Sequence, residues 1–362
     1  MNHHRLYNFS AGPATLPDQV LSDVAKDWFN WQGTGVSVVE MSHRSEEFTA
    51  IHTAALQDLR ELLQIPNNYH ILFLQGGAIA ENALVPLNLL GKQNTADYAI
   101  TGNWSKKSYI EACRYGNINL AISTEKQGYL DIPNFDQWRF TDNAQYLHIC
   151  TNETINGVEF SALPNQLHIP IVADVSSHIL SKPFDISKFG VLYGGAQKNA
   201  GIAGLTIVIV RNDLLDQAMP YCPSAFNWKM VADHHSMYNT PPTFAIYVAG
   251  LVFKWLKNLG GLKVIEQINR EKAAKLYDYI DQSHFYKNKV ARPFRSMMNI
   301  PFELPDSKLD AEFLNGAKTN GLLNLKGHKA VGGMRASIYN AMPINGVVKL
   351  IEYMAAFAER HK

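Results

Sequence analysis

The feature that most constrains the fold is a series of short apolar runs, each followed by a segment of helical or loop character. The runs have the length and the composition of strands that are buried on both faces. Because such strands alternate with helices mainly in proteins with a largely parallel sheet, we predict an α/β fold. In chain order the runs are YHILFL, ADYAI, INLAIS, QYLHIC, IPIVAD, VLYGG and LTIVIVR.

Apolar residues at helical spacing predict helices around this sheet, first after Pro17 in DQVLSDVAKDWFNW and then in FTAIHTAALQDLRELLQI. A long helical stretch begins after Pro242 and is broken at Gly260 and Gly261. Beyond it, strand-like and helical segments predict a smaller α+β domain that ends in the helix NGVVKLIEYMAAFAERHK. We therefore predict a large domain over residues 17–262 and a small domain built from residues 1–16 and 263–362.

The composition argues against some classes of binding partner and indicates the cellular compartment. A net charge of +1 over 362 residues argues against a broad surface for nucleic acid or anionic membrane. The three cysteines are far apart and form no CxxC pair, which argues against a disulfide framework or a zinc site and suits a reducing compartment. The N-terminus lacks an apolar signal core, and no apolar run is long enough to span a membrane. We predict a cytoplasmic protein without a metal site.

Polar residues directly follow several of the apolar runs. In open α/β sheets, ligands bind beyond the carboxyl ends of the strands, so these residues are expected to meet at one edge of the sheet. A ligand site at that edge is therefore predicted. The groups are residues 75–79, 151–154, 174–178 and 197–198.

Lys198 stands in the segment GVLYGGAQKNAG, among glycines and alanines. A lysine with a lowered pKa becomes a nucleophile that forms a Schiff base with an aldehyde. The small neighbours are then expected to clear space for a bulky bound group. The alternative is an ordinary solvated lysine in a loop.

Asp174 ends an apolar run, and a buried carboxylate needs a cationic or hydrogen-bonding partner. The turn at Gly76 and Gly77 precedes a predicted helix, whose free N–H groups can hold a phosphate. The aldehyde that needs a lysine, a phosphate seat and a carboxylate at its ring nitrogen is pyridoxal phosphate. The alternatives are a structural ion pair or a helix cap for Asp174, and a tight turn without a ligand at the glycines.

Two further side chains suit a flat cofactor. Trp104, after the run ADYAI, can stack on a ring, and Thr154, in the segment TNET, can donate a hydrogen bond to a ring oxygen. Taken alone, each has a plain structural alternative, which is a core or interface tryptophan for the first and a turn residue for the second.

Over essentially its whole length the chain resembles the phosphoserine aminotransferases, in the class V group of pyridoxal phosphate enzymes. The resemblance implies the fold type I architecture of the aspartate aminotransferases, with a mostly parallel sheet in the large domain. It also implies a homodimer with shared active sites. The matching stretches are YNFSAGPATLP, MSHRSEEF, VPLNLLG, TGNWSKK, TNETINGVEF, ADVSSHILSKPFDISKFGVLYGGAQKNAGIAGLTIVIVR, YNTPPTFAIY, SMMNIPF and LKGHKAVGGMRASIYNAM.

The resemblance assigns catalytic and cofactor-binding roles to residues whose chemistry suits them. Lys198 would hold pyridoxal phosphate as a Schiff base and would later move the α-proton of the substrate. Asp174 would pair with the protonated ring nitrogen, so that the ring acts as an electron sink. Trp104 would stack on the ring face, and Thr154 would hydrogen-bond the ring hydroxyl.

The resemblance also implies a phosphate site that two subunits share. The backbone N–H groups of Ala78 and Ile79 and the side chain of Gln197 would hold the phosphate, and Asn239 and Thr240 would come from the second subunit. Several relatives carry arginine at the position of Ile79, so one possible cationic side chain near the phosphate is absent here.

The substrate is expected to present a carboxylate and a phosphate. By resemblance, Arg335 would bind the carboxylate, while His328 and Lys329 would bind the phosphate together with His43 and Arg44 of the second subunit. Many relatives have arginine where this chain has Lys329. Lysine is a point charge without arginine's planar fork, so this contact is expected to be less directional.

For the family the reaction is amino transfer between glutamate and 3-phosphohydroxypyruvate, giving 2-oxoglutarate and phosphoserine, and in many bacteria also a step towards pyridoxine. The sequence argues against three alternatives. A cysteine desulfurase needs a reactive cysteine near the small domain, and none follows Cys222. A dinucleotide-dependent dehydrogenase is disfavoured by the absence of GxGxxG. A non-catalytic binding protein of this fold is disfavoured by the intact Lys198.

Overall fold

The strands and helices of the computed structural model follow the predicted alternation, and the structure describes residues 5–91, 93–164 and 167–361. The strands are β1 (Tyr7–Asn8), β2 (Tyr69–Leu74), β3 (Thr95–Ile100), β4 (Asn117–Ser123), β5 (Leu147–Cys150), β6 (Asn152–Glu153), β7 (Val158–Glu159), β8 (Ile171–Asp174), β9 (Val191–Gly195), β10 (Thr206–Arg211), β11 (Asn299–Phe302), β12 (Leu322–Leu323) and β13 (Met334–Ser337). The α-helices are α1 (Asp18–Asp27), α2 (Glu46–Leu63), α3 (Gly77–Leu89), α4 (Asn103–Ala112), α5 (Trp228–Asp233), α6 (Thr243–Asn258), α7 (Leu262–Gln282), α8 (Asp310–Thr319) and α9 (Ile344–Arg360).

Within the described ranges, the central sheet has seven strands in the order β2-β10-β9-β8-β5-β3-β4. The strands from β9 to β4 in this order run parallel to one another, and β10 runs antiparallel to both of its neighbours, β2 and β9. The connection over residues 196–205 is shorter than the dozen or so residues that a parallel crossover needs, so β10 turns back. The prediction of a largely parallel sheet is confirmed.

The two faces of this sheet are covered by different helices. Along β2, Ile71 and Phe73 belong to the apolar cluster that α2 and α6 cover, whereas Leu72 and Leu74 belong to the cluster on the side of α3 and α5. Because successive residues of a strand point to opposite faces, a strand that is buried on both faces is apolar throughout. This is why the strands are continuous apolar runs in the sequence.

A separate apolar cluster joins the N-terminal strand to the C-terminal part of the chain. It includes Phe9, Leu276, Ile300, Phe313 and Phe357. In the same region β1 pairs with β12, and β11 pairs with β13. The division into a domain of residues 17–262 and a domain of residues 1–16 and 263–362 stays a prediction, which this separate cluster supports.

The first helix is shorter than its apolar pattern predicts. The pattern extends to residue 31, but α1 ends at Asp27. Beyond it the loop makes hydrogen bonds of its own, such as the one from the N–H of Gly35 to the side chain of Asn30 at 2.7 Å. None of the helices in the described ranges is long and apolar enough to cross a membrane.

The fully buried Lys272 forms hydrogen bonds with the segment that follows β13. Its Nζ donates hydrogen bonds to the backbone carbonyls of Ile338 (3.1 Å), Tyr339 (2.8 Å) and Met342 (3.1 Å). Burial lowers the pKa of Lys272 to about 7. The lysine thereby links α7 to the segment next to Arg335.

Replacing Lys272 by methionine is expected to lower the free energy of unfolding by about 1–3 kcal/mol, because buried carbonyls lose their donor. Denaturant titration followed by circular dichroism measures this change. The control is Lys275→Met, one turn along the same helix, where the lysine is exposed and lies 3.8 Å from Glu271. Its effect is expected to stay within about 0.5 kcal/mol, and equal losses in the two variants would contradict the role given to Lys272.

Candidate active site

The carboxyl ends of the parallel strands meet at one edge of the sheet and border a cavity of about 490 Å³. The polar groups that follow β2, β5, β8 and β9 all reach this edge, as the sequence predicted. Side chains from the segment around β13 close the cavity on its other side. The predicted residues that line it are Ala78, Ile79, Trp104, Thr154, Asp174, Gln197, Lys198, His328 and Arg335.

Lys198 follows β9 and extends into this cavity. Its Nζ donates a hydrogen bond to the hydroxyl of Thr154 at 2.7 Å and lies 5.4 Å from the ring centroid of Trp104. Burial lowers the pKa of Lys198, and the carboxylate of Asp174 acts in the opposite direction. This environment differs from that of a solvated loop lysine, and it favours a nucleophilic amine.

Asp174 is the last residue of β8 and is only 7% exposed. Its Oδ1 accepts hydrogen bonds from the backbone N–H (2.9 Å) and the hydroxyl (2.6 Å) of Ser176. In the part of the chain that the structure describes, Asp174 forms no ion pair with a lysine or an arginine, so the alternative of a structural ion pair is not supported. The carboxylate borders the cavity, where it can meet a cationic ring nitrogen.

Helix α3 begins at the same edge without a side-chain cap. Its N-cap is Gly76, whose φ of 105° is readily adopted only by glycine, and no side chain among the described residues caps the first turn. The N–H groups at the start of a helix have no partner within the helix. Ala78 and Ile79, in this first turn, line the cavity with Gln197, so the turn can hold a phosphate.

Trp104 and Thr154 come from neighbouring elements. Trp104 lies in the first turn of α4, and Thr154 follows β6. The backbone carbonyl of Thr154 accepts a hydrogen bond from Nη1 of Arg335 at 3.3 Å, so this residue contacts both Lys198 and Arg335. These contacts join Thr154 and Lys198, next to the strands of the central sheet, to Arg335 in β13.

The small residues near Lys198 do not have the function that the sequence suggested. A Cβ at Gly194 would lie 3.0 Å from Cα of Ser176, and one at Gly195 would lie 2.4 Å from Oε1 of Gln197. These glycines therefore make room for neighbouring protein atoms. For these two glycines, the prediction that small residues clear space for a bound group was wrong.

The basic side chains of His328 and Arg335 face the cavity, and Lys329 is exposed beside them. Burial lowers the pKa of His328, and the charges of Arg335, Lys107 and Lys329 lower it further. A site with several cationic groups suits an anionic substrate.

Besides Lys329, four predicted site residues do not line this cavity. Arg44, Asn239 and Thr240 are exposed, and His43 is half-buried. Asn239 borders a separate small cavity next to Gln75. Their contribution from a second subunit stays a prediction.

The N-terminal segment, which the sequence did not indicate as part of the site, also lines the cavity through Ala11 and Gly12. A Cβ at Gly12 would lie 3.2 Å from Cγ of Lys198, and the φ of Gly12 is 139°. This glycine lies in the stretch YNFSAGPATLP, whose local pattern gives no signal of a contact with Lys198. In the described ranges no group of three or more metal-binding side chains is close enough to hold a metal ion.

The residues present fit pyridoxal phosphate. An amine on Lys198, a carboxylate on Asp174 and the uncapped turn of α3 border the same cavity. The indole N–H of Trp104 is buried and has no hydrogen-bond partner among the described residues, although a buried tryptophan N–H usually has one. The chemistry of these groups matches the aldehyde, ring nitrogen and phosphate of the cofactor.

Comparisons with known proteins show the family of the chain. The sequence model of the aminotransferase class-V family matches residues 6–350. A curated phosphoserine aminotransferase from Paraburkholderia phymatum is 59% identical over 357 residues, which cover 98% of this chain and 99% of the relative.

Two solved structures extend the agreement to the fold. Phosphoserine aminotransferase from Bacillus circulans subsp. alkalophilus is 43% identical, with a TM-score of 0.97 and 99% of each chain covered. The pyridoxal-phosphate-bound phosphoserine aminotransferase from Trichomonas vaginalis is 40% identical, with a TM-score of 0.93, covering 97% of this chain and 100% of the other. The predicted fold type I architecture is confirmed, and the chain belongs to the class V aminotransferases and, within them, to the phosphoserine aminotransferase family.

Proposed function

We propose that this aminotransferase moves an amino group reversibly between glutamate and 3-phosphohydroxypyruvate, giving 2-oxoglutarate and O-phospho-L-serine. Its cofactor is pyridoxal phosphate. The observation that carries the proposal is that one cavity joins Lys198 and Asp174 to the basic side chains of His328 and Arg335. Such a cavity suits a flat phosphorylated cofactor next to a substrate with two anionic groups.

The geometry of the cavity supports the proposed residue roles. When bound, the cofactor withdraws electrons from the substrate α-carbon. Asp174, held by Ser176, would keep the ring nitrogen protonated, and Nζ of Lys198 would accept the α-proton and return it. Thr154 orients this amine through the 2.7 Å hydrogen bond. Trp104 would stack on the ring and so help to hold it next to the amine.

The phosphate of the cofactor would bind at the start of α3, to the N–H groups of Ala78 and Ile79 and to Gln197. The exposed positions of Asn239 and Thr240 leave them free to complete this site in a second copy of the chain. This arrangement supports a homodimer in which a single subunit is an incomplete enzyme.

The substrate anions would be bound by different residues. Arg335 would bind the carboxylate through a bidentate contact, for which arginine is suited. His328 and Lys329 would bind the substrate phosphate, together with His43 and Arg44 of the second copy. Because each anion has its own cationic partner, an unphosphorylated keto acid should bind less tightly.

The direct test is an assay of the purified protein with glutamate and 3-phosphohydroxypyruvate, following the formation of 2-oxoglutarate. We expect turnover with this pair and a much lower kcat/KM with pyruvate, which lacks the phosphate. Comparable kcat/KM values for the two keto acids would contradict the proposed substrate.

Arg44→Ala is expected to lower kcat/KM for 3-phosphohydroxypyruvate by roughly 30-fold or more, the effect of losing about 2 kcal/mol of charged contact. The value for an unphosphorylated keto acid should change little. Arg335→Ala serves as the comparison, since loss of the carboxylate contact should affect both substrates. Equal losses on the two substrates for Arg44→Ala would mean that this arginine does not recognise the phosphate.

Lys329→Arg is expected to leave kcat similar and to lower KM for the phosphorylated substrate modestly, because a planar fork replaces a point charge. The measurement is KM for phosphorylated and unphosphorylated keto acids. A lower KM for both substrates would show that position 329 does not recognise the phosphate specifically.

The proposed product would place the enzyme in L-serine biosynthesis. The same pair of anions also occurs in the phosphorylated hydroxy-keto acid that gives 4-phosphohydroxy-L-threonine on the route to pyridoxine, and we propose it as a second substrate. A cytoplasmic location is proposed as well. The free thiols of Cys113, Cys150 and Cys222 suit a reducing compartment.

A further inference from the structure

Glu153, which has been given no role so far, is fully buried next to the cavity. Its carboxylate lies at the start of α4, the helix that carries Trp104. Oε2 accepts a hydrogen bond from the backbone N–H of Trp104 at 2.9 Å, and Oε1 accepts bonds from the N–H (2.9 Å) and the hydroxyl (2.5 Å) of Ser105. A negative charge at this end of a helix is favoured by the free N–H groups and the helix dipole.

Neighbouring residues at the start of α4 make this contact possible and support it. A Cβ at Gly102 would lie 2.2 Å from Cδ of Glu153, so only glycine at this position lets the carboxylate reach the helix. Asn156, three residues after Glu153, binds Asn103, the first residue of α4. Its Oδ1 accepts hydrogen bonds from the backbone N–H (3.1 Å) and the side-chain amide (3.0 Å) of Asn103. One short segment thus fixes the first turn of α4 at two points.

The same segment carries Thr154, the residue that contacts the catalytic amine. Nζ of Lys198 lies 2.7 Å from the hydroxyl of Thr154 and 5.4 Å from the ring centroid of Trp104. Since Glu153 joins the backbone next to Thr154 to the backbone of Trp104, it fixes the distance between the ring and the amine.

The charge of Glu153 also affects this site. Burial raises the pKa of Glu153, and hydrogen bonds from Ser105 and Trp104 lower it. Its carboxylate is one of the groups that raise the pKa of Lys198 against the effect of burial. The effect of the position of the Glu153 carboxylate and the effect of its charge can therefore be tested by different substitutions.

We propose that Glu153 is a positioning residue that sets the separation between the Trp104 ring and Lys198, and so the width of the space that the cofactor ring enters. The proposal rests on the proposed stacking of Trp104 on that ring. Glu153 makes no contact with the reacting atoms and acts through Trp104 and Thr154.

The test uses the holoenzyme and two substitutions. Glu153→Asp keeps the charge but is one methylene shorter, so it cannot reach both N–H groups. Glu153→Gln keeps the length but replaces one carboxylate oxygen by an NH₂ group, which cannot accept a hydrogen bond from Trp104 or Ser105. The readouts are the circular dichroism of the bound cofactor in its visible band, the dissociation constant of the cofactor, and kcat and KM.

For both variants we expect the visible circular dichroism to fall by more than half and kcat to fall about 10²-fold, the usual consequence of misplacing reacting groups. KM for the keto acid should be unchanged, because Arg335 and His328 make no contact with Glu153. The control is Glu125→Gln, which removes a carboxylate that pairs with Lys106 on the same helix at the surface, and it should leave all readouts unchanged.

Normal circular dichroism and normal kcat in the two variants, with only a lower thermal stability, would overturn the inference and make Glu153 a simple helix cap. If neither variant folds, Asn156→Ala loosens the same segment and should change the circular dichroism in the same direction; an unchanged signal there overturns the inference too. Trp104→Ala separates the two proposals. If it alters the cofactor signal while the Glu153 variants do not, only the role of Glu153 fails; if it leaves the signal unchanged, the stacking role fails.

Discussion

Replacing Lys198 by alanine is expected to abolish transamination, with a loss in kcat of at least about 10³-fold. Lys198 is the amine that lines the cavity and donates a 2.7 Å hydrogen bond to Thr154. The same residue is proposed to bind the cofactor and to move the α-proton, so a single substitution removes two functions. The visible absorbance of the lysine-bound cofactor should disappear, although cofactor held by Asp174 and the start of α3 can remain bound without a covalent bond.

Two measurements check this expectation. Steady-state assays with glutamate give kcat, and borohydride reduction followed by peptide mapping identifies the lysine that carries the pyridoxyl group. The control is Lys188→Ala, an exposed lysine between β8 and β9, which should leave both results unchanged. A pyridoxyl group on any lysine other than Lys198 would show that the assignment is wrong.

Asp174→Asn is expected to give a folded protein that binds the cofactor but turns over about 10²- to 10³-fold more slowly, the range for losing one electrostatic contact at a reacting centre. The fold should survive because the asparagine oxygen can accept the two hydrogen bonds from Ser176 that Oδ1 of Asp174 accepts now. The remaining amide is neutral, so it no longer favours a proton on the ring nitrogen.

Asp185→Asn is the matched control. Asp185 accepts the same pair of hydrogen bonds, from the N–H (3.2 Å) and the hydroxyl (2.6 Å) of Ser187, but it lies on the surface away from the cavity. The control should keep full kcat and the same cofactor content, measured by absorbance after release in alkali. Near-normal kcat in Asp174→Asn with bound cofactor would remove the role given to this carboxylate.

The elements of the large sheet could be predicted from the sequence because each strand is buried on both faces. The run YHILFL is β2 without any change of bounds, and the glycine break at Gly260 and Gly261 separates α6 from α7 as predicted. Lys198, Asp174 and the turn before α3 could be found because they directly follow such strands. In a parallel sheet the carboxyl ends of the strands share an edge, so order along the chain already implies proximity.

Other features depended on contacts between distant segments. The early end of α1 and the packing of Gly12 against Lys198 have no local periodic signal. The glycines beside Lys198 illustrate the difference. The sequence indicated that small residues were needed there, but it could not tell whether a ligand or a neighbouring side chain fills the space.

The sequence by itself determined the strands, the order of the helices and the identity of the chemical groups at the site, because burial on both faces and strand-end position leave local patterns. Only the tertiary structure decided that Thr154 contacts both Lys198 and Arg335, and that Glu153 lies against the start of α4. These contacts join residues that are dozens of positions apart or more. Their distances are set by how the sheet, α4 and β13 pack together, and packing of this kind leaves no trace in the spacing of residues along the chain.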